Sequence, residues 1–172
     1  MRQAILSASI AVVGEAGLGS WTVERVAARA GCAKGLVVYH FGSKRALLEE
    51  SASALGAAHQ TVRQDAIAGR SGTAVLDALW QALLNEVRSG GLAGWLAVQS
   101  DPELRRKAQV PEQTFKTETQ VASALAIGTG VLAPKGTLSA ALDGVQLQLL
   151  GTPPSARDRG VYDRLWLALL AG

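Results

Sequence analysis

Four polar side chains lie close together between residues 34 and 44, and their types suit contact with phosphate. Lys34, Tyr39, His40 and Lys44 can each donate a hydrogen bond, and both lysines carry positive charge. A lysine near a helix N-terminus binds phosphate because its ammonium charge acts together with the free backbone N–H groups. Gly35 has no side chain, so its backbone can approach a ligand closely. These residues predict a surface that contacts the phosphates of DNA.

The other reactive side chains predict no second site. Cys32 is the single cysteine, so no intramolecular disulfide can form, and a small packed residue is expected there, with redox sensing as the alternative. His59 is expected at the surface, and it forms no metal-ligand pattern with His40. Residues 128–130, Gly-Thr-Gly, indicate a helix end and not a nucleotide loop. Without a catalytic set, we expect a protein that is not an enzyme and that holds no cofactor or metal.

Helices are the elements that must position these side chains. One helical face is formed near the start of the chain by Ile5, Ala8, Val12, Val13 and Ala16. Thr22 and Ser43 suit helix starts, and Gly31 suits a helix end. The pattern predicts helices at about 3–16, 22–30, 33–40, 43–68, 73–88, 92–100, 102–128 with a possible break at Pro111, 135–150 and 156–171. No alternating pattern outweighs the helical one, so the expected fold class is all-α.

Residues 22–48 combine a helix, a glycine turn, a short helix, a short connection and the start of a long helix. This order is typical of a helix-turn-helix, whose second helix enters the major groove of DNA. The side chains expected to pack the motif together are Val26, Ala27, Val37 and Phe41. The small Ala27 lets the helices cross closely.

Residues Ala30–Leu47 read AGCAKGLVVYHFGSKRAL. This stretch resembles the N-terminal domain of the tetracycline-repressor (TetR) family, in which the pattern A-G-V-S-x-G-T-L-Y-x-H-F-x-S-K-x-x-L spans the turn, the recognition helix and the start of the fourth helix. The resemblance covers residues 2–50 in pattern and 22–48 in detail. It implies a three-helix DNA-binding domain at 1–48 and a helical effector-binding and dimerisation domain at 49–172.

The resemblance also implies which residues meet DNA. The positions that usually face DNA in the family are occupied here by Lys34, Gly35, Leu36, Tyr39, His40 and Lys44. The positions where the second helix meets the DNA backbone are occupied by Thr22 and Arg25. Three positions depart from the pattern: Ala33 replaces a capping Ser or Thr, Leu36 a Thr, and Val38 a Tyr. The lost cap weakens the helix start by about 1 kcal/mol. The apolar replacements suit a thymine methyl, so the departures affect the sequence that is read more than the class of function.

The composition permits these expectations without demonstrating them. The chain has 172 residues, of which 48% are hydrophobic and 18% charged, enough for a sizeable helical core. The net charge of +3 is too small to argue for a nucleic-acid partner by itself, so the placement of the basic residues carries that argument. No signal peptide or apolar run of membrane-spanning length is evident, so we expect a soluble cytoplasmic protein.

Two apolar stripes near the C-terminus predict a homodimer. The last two helices follow each other across Thr152-Pro153-Pro154, and their stripes consist of Leu138, Leu142, Val145, Leu149, Tyr162, Leu165, Trp166 and Leu169, with Leu147 and Leu150 widening the first and Leu170 facing with the second. Two such hairpins from two subunits would form a four-helix bundle, while packing within one chain is the alternative. We favour the dimer because a two-fold operator requires paired recognition helices about 34–36 Å apart.

An effector site is expected among the middle helices. Its candidate lining is Trp80, Leu84, Trp95, Gln99 and Phe115. Aromatic walls with few polar groups suit an apolar or aromatic small molecule, although each residue can equally be a core residue.

The sequence therefore predicts a DNA-binding transcriptional regulator, a repressor that a small-molecule effector releases from a double-stranded DNA operator. The alternative is a dimeric helical interaction protein that kept this fold and lost sequence-specific DNA binding. Leu36 and Val38 are the residues that motivate this alternative.

Overall fold

The computed structural model describes residues 1–108, 119–125 and 137–171. Its helices are α1 at Arg2–Ala16, α2 at Val23–Ala30, α3 at Lys34–Phe41, α4 at Lys44–Ile67, α5 at Thr73–Ser89, α6 at Gly91–Ser100, α7 at Pro102–Lys107, α8 at residues 119–124, α9 at Thr137–Gln148 and α10 at Ala156–Ala171. A short 3-10 turn, Leu18–Ser20, lies between α1 and α2. The described ranges contain no strand, and the all-α prediction is confirmed.

Local side-chain chemistry sets the ends of the first helices as the sequence predicted. Thr22 caps α2, and its hydroxyl accepts a hydrogen bond from the Arg25 amide at 3.2 Å. Gly31 ends α2 at a φ of 65°, in the left-handed region that glycine adopts without strain. Ser43 caps α4 by accepting from the Ala46 amide at 3.0 Å.

The predicted helix from 102 to 128 was wrong in its extent. Asp101 caps α7 by accepting from the amides of Glu103 and Leu104, both at 2.9 Å, and Pro102 occupies the first turn. The helix ends at Lys107, ahead of Pro111. Leu104 and Ala108 are both buried, so a single turn is enough to bury the apolar side of this segment. Residues 109–118, which include Pro111 and Phe115, and residues 126–136 lie outside the described part of the chain.

Packing divides the chain into two units. Unit 1 consists of Met1–His59 with Ser89–Val110, and unit 2 of Gln60–Arg88 with Pro111–Gly172. The core of unit 1 joins α1 and the helix-turn-helix to α6 and α7, and its most buried large residues include Ile5, Val13, Trp21, Val26, Val37, Leu47, Trp95 and Val98. The four residues predicted to pack the motif together all belong to this core, as expected. The predicted division after residue 48 concerns function and stays a prediction.

Within unit 1, α1 and α6 approach each other through glycines. A Cβ atom added to Gly14 would lie 2.8 Å from the Gly90 carbonyl oxygen, and one added to Gly94 would lie 3.5 Å from the Gly14 Cα. Contacts this short leave no room for a methyl group on the α1 side, because the facing atom is backbone.

Within unit 2, aromatic residues of α10 anchor it to α5. Tyr162 and Trp166 are each 1% exposed, and the Tyr162 ring lies 5.1 Å from the ring of Trp80. The Tyr162 hydroxyl donates to the Leu76 carbonyl oxygen at 2.9 Å, and burial raises its pKa above the usual range. Nearby, Arg159 pairs with an Asp77 oxygen at 2.6 Å. Over the part of the chain that the structure describes, no helix combines the length and apolar character needed to cross a membrane.

Candidate DNA-binding surface

Helix α3 is anchored through one face and presents the other outward. Val37 and Phe41, four residues apart, are 1% and 8% exposed and pack in the core of unit 1. The opposite face carries Leu36 at 38%, Val38 at 47% and Tyr39 at 81% exposure. Two exposed apolar side chains beside an exposed tyrosine, all on one short helix, indicate a contact surface.

The exposed face ends in a pair of aromatic rings. The rings of Tyr39 and His40 meet edge to face, with centroids 5.2 Å apart and planes at 73°. His40 is only partly exposed. This contact restricts the two side chains to a common orientation and leaves the Tyr39 hydroxyl outward, where a phenol can donate to phosphate.

The N-terminal turn of α3 has the features of an anion site. The first amides of a helix have no acceptor within the helix, and Ala33 supplies no side-chain cap. Gly35 is exposed, and a Cβ placed on it would meet nothing within 4 Å. Neither backbone conformation nor crowding inside the chain therefore requires glycine here. A close approach from outside would require it.

Lys34 is engaged in an ion pair that no sequence pattern indicated. Its ammonium donates to a carboxylate oxygen of Glu24, the residue at the start of α2, and this hydrogen bond lowers the pKa of Glu24. Both side chains are exposed. The spacing of ten residues spans the turn between two helices and matches no local pairing rule, so only the folded motif reveals the contact.

The remaining predicted DNA contacts border α3. Lys44 begins α4, and its Nζ atom lies 5.5 Å from the centre of the Trp21 ring. The Thr22 hydroxyl is occupied by its cap, and the Arg25 guanidinium donates to the Ser20 carbonyl oxygen at 3.3 Å. The side chains of Thr22 and Arg25 are thus both held at the start of α2. All eight predicted DNA-contacting residues belong to unit 1.

The predicted effector residues fall in different units. Trp95 and Gln99 belong to unit 1, Trp80 and Leu84 to unit 2, and Phe115 lies outside the described residues. Trp95 is 4% exposed and stacks on His59, with ring centroids 4.5 Å apart. The expectation that His59 lies at the surface was wrong. It is 9% exposed because its ring packs on this tryptophan.

The predicted dimer stripe is partly buried inside unit 2. Val145, Leu149, Tyr162 and Trp166 are buried, and Leu142, Leu165 and Leu169 are half-buried, while the side chain of Leu138 lies outside the described set. Among the described side chains of α9 and α10, the large hydrophobic residues that are exposed are Leu147, at 60%, which was expected to widen the stripe, and Leu167, at 66%. Periodicity marked the apolar faces but could not separate the part that packs within the chain.

Unit 2 also contains buried polar groups that no sequence pattern indicated. Burial lowers the pKa of the Arg63 guanidinium, and the charges of Glu86 and Asp143 oppose this shift. Gln146 is 2% exposed, and its Oε1 atom has no hydrogen-bond partner among the described residues. Across the described ranges, no three His, Cys, Asp or Glu side chains group as metal ligands.

Comparison with known proteins matches this architecture. The family model described as "Bacterial regulatory proteins, tetR family" matches residues 5–51, which run from α1 into α4 and contain the whole exposed face of α3. This part of the chain therefore matches the DNA-binding domain of the TetR family. The chain is 29% identical over 159 residues to the HTH-type transcriptional regulator BetI of Serratia proteamaculans, an alignment that covers 86% of this chain and 79% of that one.

Solved structures share the fold of this chain over nearly its whole length. The multidrug binding protein EbrR, solved with imidazole, superposes with a TM-score of 0.66 at 24% identity and covers 98% of this chain and 89% of that one. A TetR family transcription regulator from Marinobacter aquaeolei VT8 superposes with a TM-score of 0.62 at 16% identity, with coverages of 97% and 94%. The family match and the helix-turn-helix make this chain a DNA-binding transcriptional regulator.

Proposed function

We propose that this regulator is a homodimeric repressor that binds a double-stranded DNA operator through α3 and leaves it when a small-molecule effector binds. The observation that carries the proposal is the outward face of α3. It exposes 81% of Tyr39 beside two apolar side chains, on a helix whose opposite face is fixed in the core. A helix anchored in this way can enter the major groove without rearranging its support.

The contacts divide into positioning and reading roles. Lys34, Lys44 and Tyr39 contact phosphates, as do the more peripheral Thr22 and Arg25. Leu36 and His40 face the groove and contact the bases. Leu36 suits contact with a thymine methyl group. Gly35 lets the backbone of α3 approach the duplex.

The DNA-binding proposal is tested on the full chain with a duplex selected from a random-sequence pool by the wild-type protein. Lys44→Ala should weaken binding to all duplexes and reduce the slope of log affinity against log salt by about 1. Arg29→Ala is the matched control, because Arg29 pairs with Glu15 at 2.6 Å and lies outside the proposed surface. It should leave the slope unchanged.

A double change of Lys44 and Tyr39 to Ala gives the decisive result. Wild-type affinity in this variant would disprove the assignment of the surface. The alternative function, a dimeric protein without specific DNA binding, predicts that the selection enriches no sequence although the protein is a dimer.

The effector is proposed to be an apolar or aromatic small molecule that carries a hydrogen-bond donor. Within unit 2, Trp80 and Leu84 are the candidates for its lining, and the buried Gln146 Oε1 provides an acceptor for the donor. EbrR, a multidrug binding protein, shows that a protein with this fold accepts such ligands as imidazole. A panel of aromatic amines and matched hydrocarbons, screened by tryptophan fluorescence and by release of the selected duplex, tests the proposal. Equal response to both classes would remove the role of Gln146.

The dimer is proposed to form through α9 and α10, because Leu147 and Leu167 are exposed among the described residues. Leu147→Glu and Leu167→Glu should each shift the protein toward the monomer in sedimentation velocity, because a carboxylate would be buried in the interface. Leu36→Glu is the control, since it places the same change on α3. A dimer that survives both α9 and α10 changes would contradict this interface.

A further inference from the structure

Trp21 is buried directly before α2 and is linked to α1 and α4 by hydrogen bonds. Its indole is 2% exposed, and the Nε1 atom donates to the Ser9 hydroxyl at 2.9 Å. That hydroxyl lies 2.7 Å from the hydroxyl of Ser51, which in turn donates to the Leu47 carbonyl oxygen at 2.8 Å. Ser9 and Ser51 are both fully buried.

The direction of this chain follows from the inventory of protons. Each serine hydroxyl has one proton, and that of Ser51 is directed to Leu47. Ser9 therefore donates to Ser51 and accepts from Trp21, so that each donor has one acceptor. A fully satisfied buried network of this kind holds its members in one arrangement. The orientation of the Trp21 ring is thus set by groups on two other helices.

Lys44 meets the face of the same ring. Its Nζ atom lies 5.5 Å from the ring centroid, within the range of a cation–π contact. Leu47, where the hydrogen-bond chain ends, is one turn further along α4 from Lys44. Trp21 thus contacts the first turn of α4 in two ways, through the serine chain and through its ring. It also directly precedes Thr22, the cap of α2.

We propose that Trp21 is a positioning residue for DNA binding, which holds the Lys44 ammonium over a ring fixed by Ser9 and Ser51. The inference rests on the proposed role of Lys44 at a phosphate. An exposed lysine otherwise samples many rotamers and loses that freedom when it binds. A cation–π contact at an exposed site restricts the side chain before DNA arrives and is equivalent to about a two- to fivefold gain in affinity.

The test is a double-mutant cycle between Trp21 and Lys44, measured with the full chain on the duplex selected from the random-sequence pool. Trp21→Leu removes the ring face and should weaken binding by about two- to fivefold in wild-type protein. The same change should have little effect in the Lys44→Ala background, because the partner is already absent. Trp21→Phe keeps a ring face without the indole N–H and should restore part of the affinity that Leu loses.

A purely structural role of Trp21 would give different results. Trp95→Leu is the matched control, because it removes another buried indole from unit 1, and its effect should be equal with or without Lys44. If Trp21→Leu also weakens binding equally in both backgrounds, the inference is wrong while DNA binding through Lys44 stands. If Lys44→Ala itself leaves affinity and salt slope unchanged, the proposed contact of Lys44 fails instead. Thermal unfolding of each variant shows whether it still folds. If Trp21→Leu does not fold, the coupling is measured with Trp21→Phe instead, by comparing its effect on DNA affinity in the presence of Lys44 with its effect in the Lys44→Ala background.

Discussion

Replacing Gly35 by Ala should stabilise the protein and at the same time weaken its binding to DNA. Gly35 lies inside α3, is exposed, and would carry a Cβ with no neighbour within 4 Å. A Gly→Ala change in a helix contributes up to about 1 kcal/mol to stability, because alanine restricts the unfolded chain and favours the helix. The free energy of unfolding should therefore rise by about 0.5–1 kcal/mol.

The same methyl group would stand where the backbone of α3 approaches the duplex. Inserting a methyl into a close-packed contact costs about 1–3 kcal/mol, which corresponds to about a 5- to 150-fold loss of affinity. Urea unfolding followed by far-ultraviolet circular dichroism gives the stability, and fluorescence anisotropy with the selected duplex gives the affinity. Unchanged or tighter DNA binding by Gly35→Ala would refute a close approach of the backbone at this position.

Three further changes test other parts of the structure. Glu24→Gln should tighten DNA binding several-fold at low salt, because it frees Lys34 from its ion pair. The pKa of Glu24 is lowered, so in the wild type the ion pair is present at neutral pH and is lost as the pH falls through that pKa. The difference in affinity between the variant and the wild type should therefore shrink in acid. Gly14→Ala should lower the free energy of unfolding by up to about 2 kcal/mol, because the clash with the Gly90 carbonyl exceeds the gain in helix propensity; stabilisation in urea would contradict this. Tyr162→Phe should cost about 1 kcal/mol in the same assay, since a backbone carbonyl of α5 loses its donor, and an unchanged midpoint would show that the bond contributes nothing.

Most helix positions followed from local chemistry. Thr22, Gly31 and Ser43 act through their own backbone neighbours, so their caps were predictable from the sequence. The end of α7 was not, because it depends on where Leu104 and Ala108 pack. Tertiary contacts decide such boundaries, and a period of 3.6 residues contains no information about them.

The site was predictable in outline and not in its electrostatics. The spacing of Lys34, Tyr39 and Lys44 predicted one surface. In the structure Lys34 is the first residue of α3, Tyr39 lies in its last turn and Lys44 begins α4, and their contact with DNA stays a prediction. The pairing of Lys34 with Glu24 depends on the crossing of two helices and left no trace in the sequence. For the same reason, apolar periodicity on α9 and α10 did not distinguish the buried Trp166 from an interface residue.

The discontinuous make-up of unit 1 has a consequence for building chimeric regulators. A reading head cut after residue 48 would lack α6 and α7, whose residues Trp95, Val98 and Leu104 complete the core that supports α1 and α3. Such a fragment would expose apolar surface and is expected to aggregate when grafted onto another sensor. An exchange of DNA specificity that substitutes only the exposed positions of α3, with this framework kept whole, should instead retain solubility. DNA specificity should therefore be transferred by exchanging exposed side chains of α3 and not by exchanging a segment of the chain.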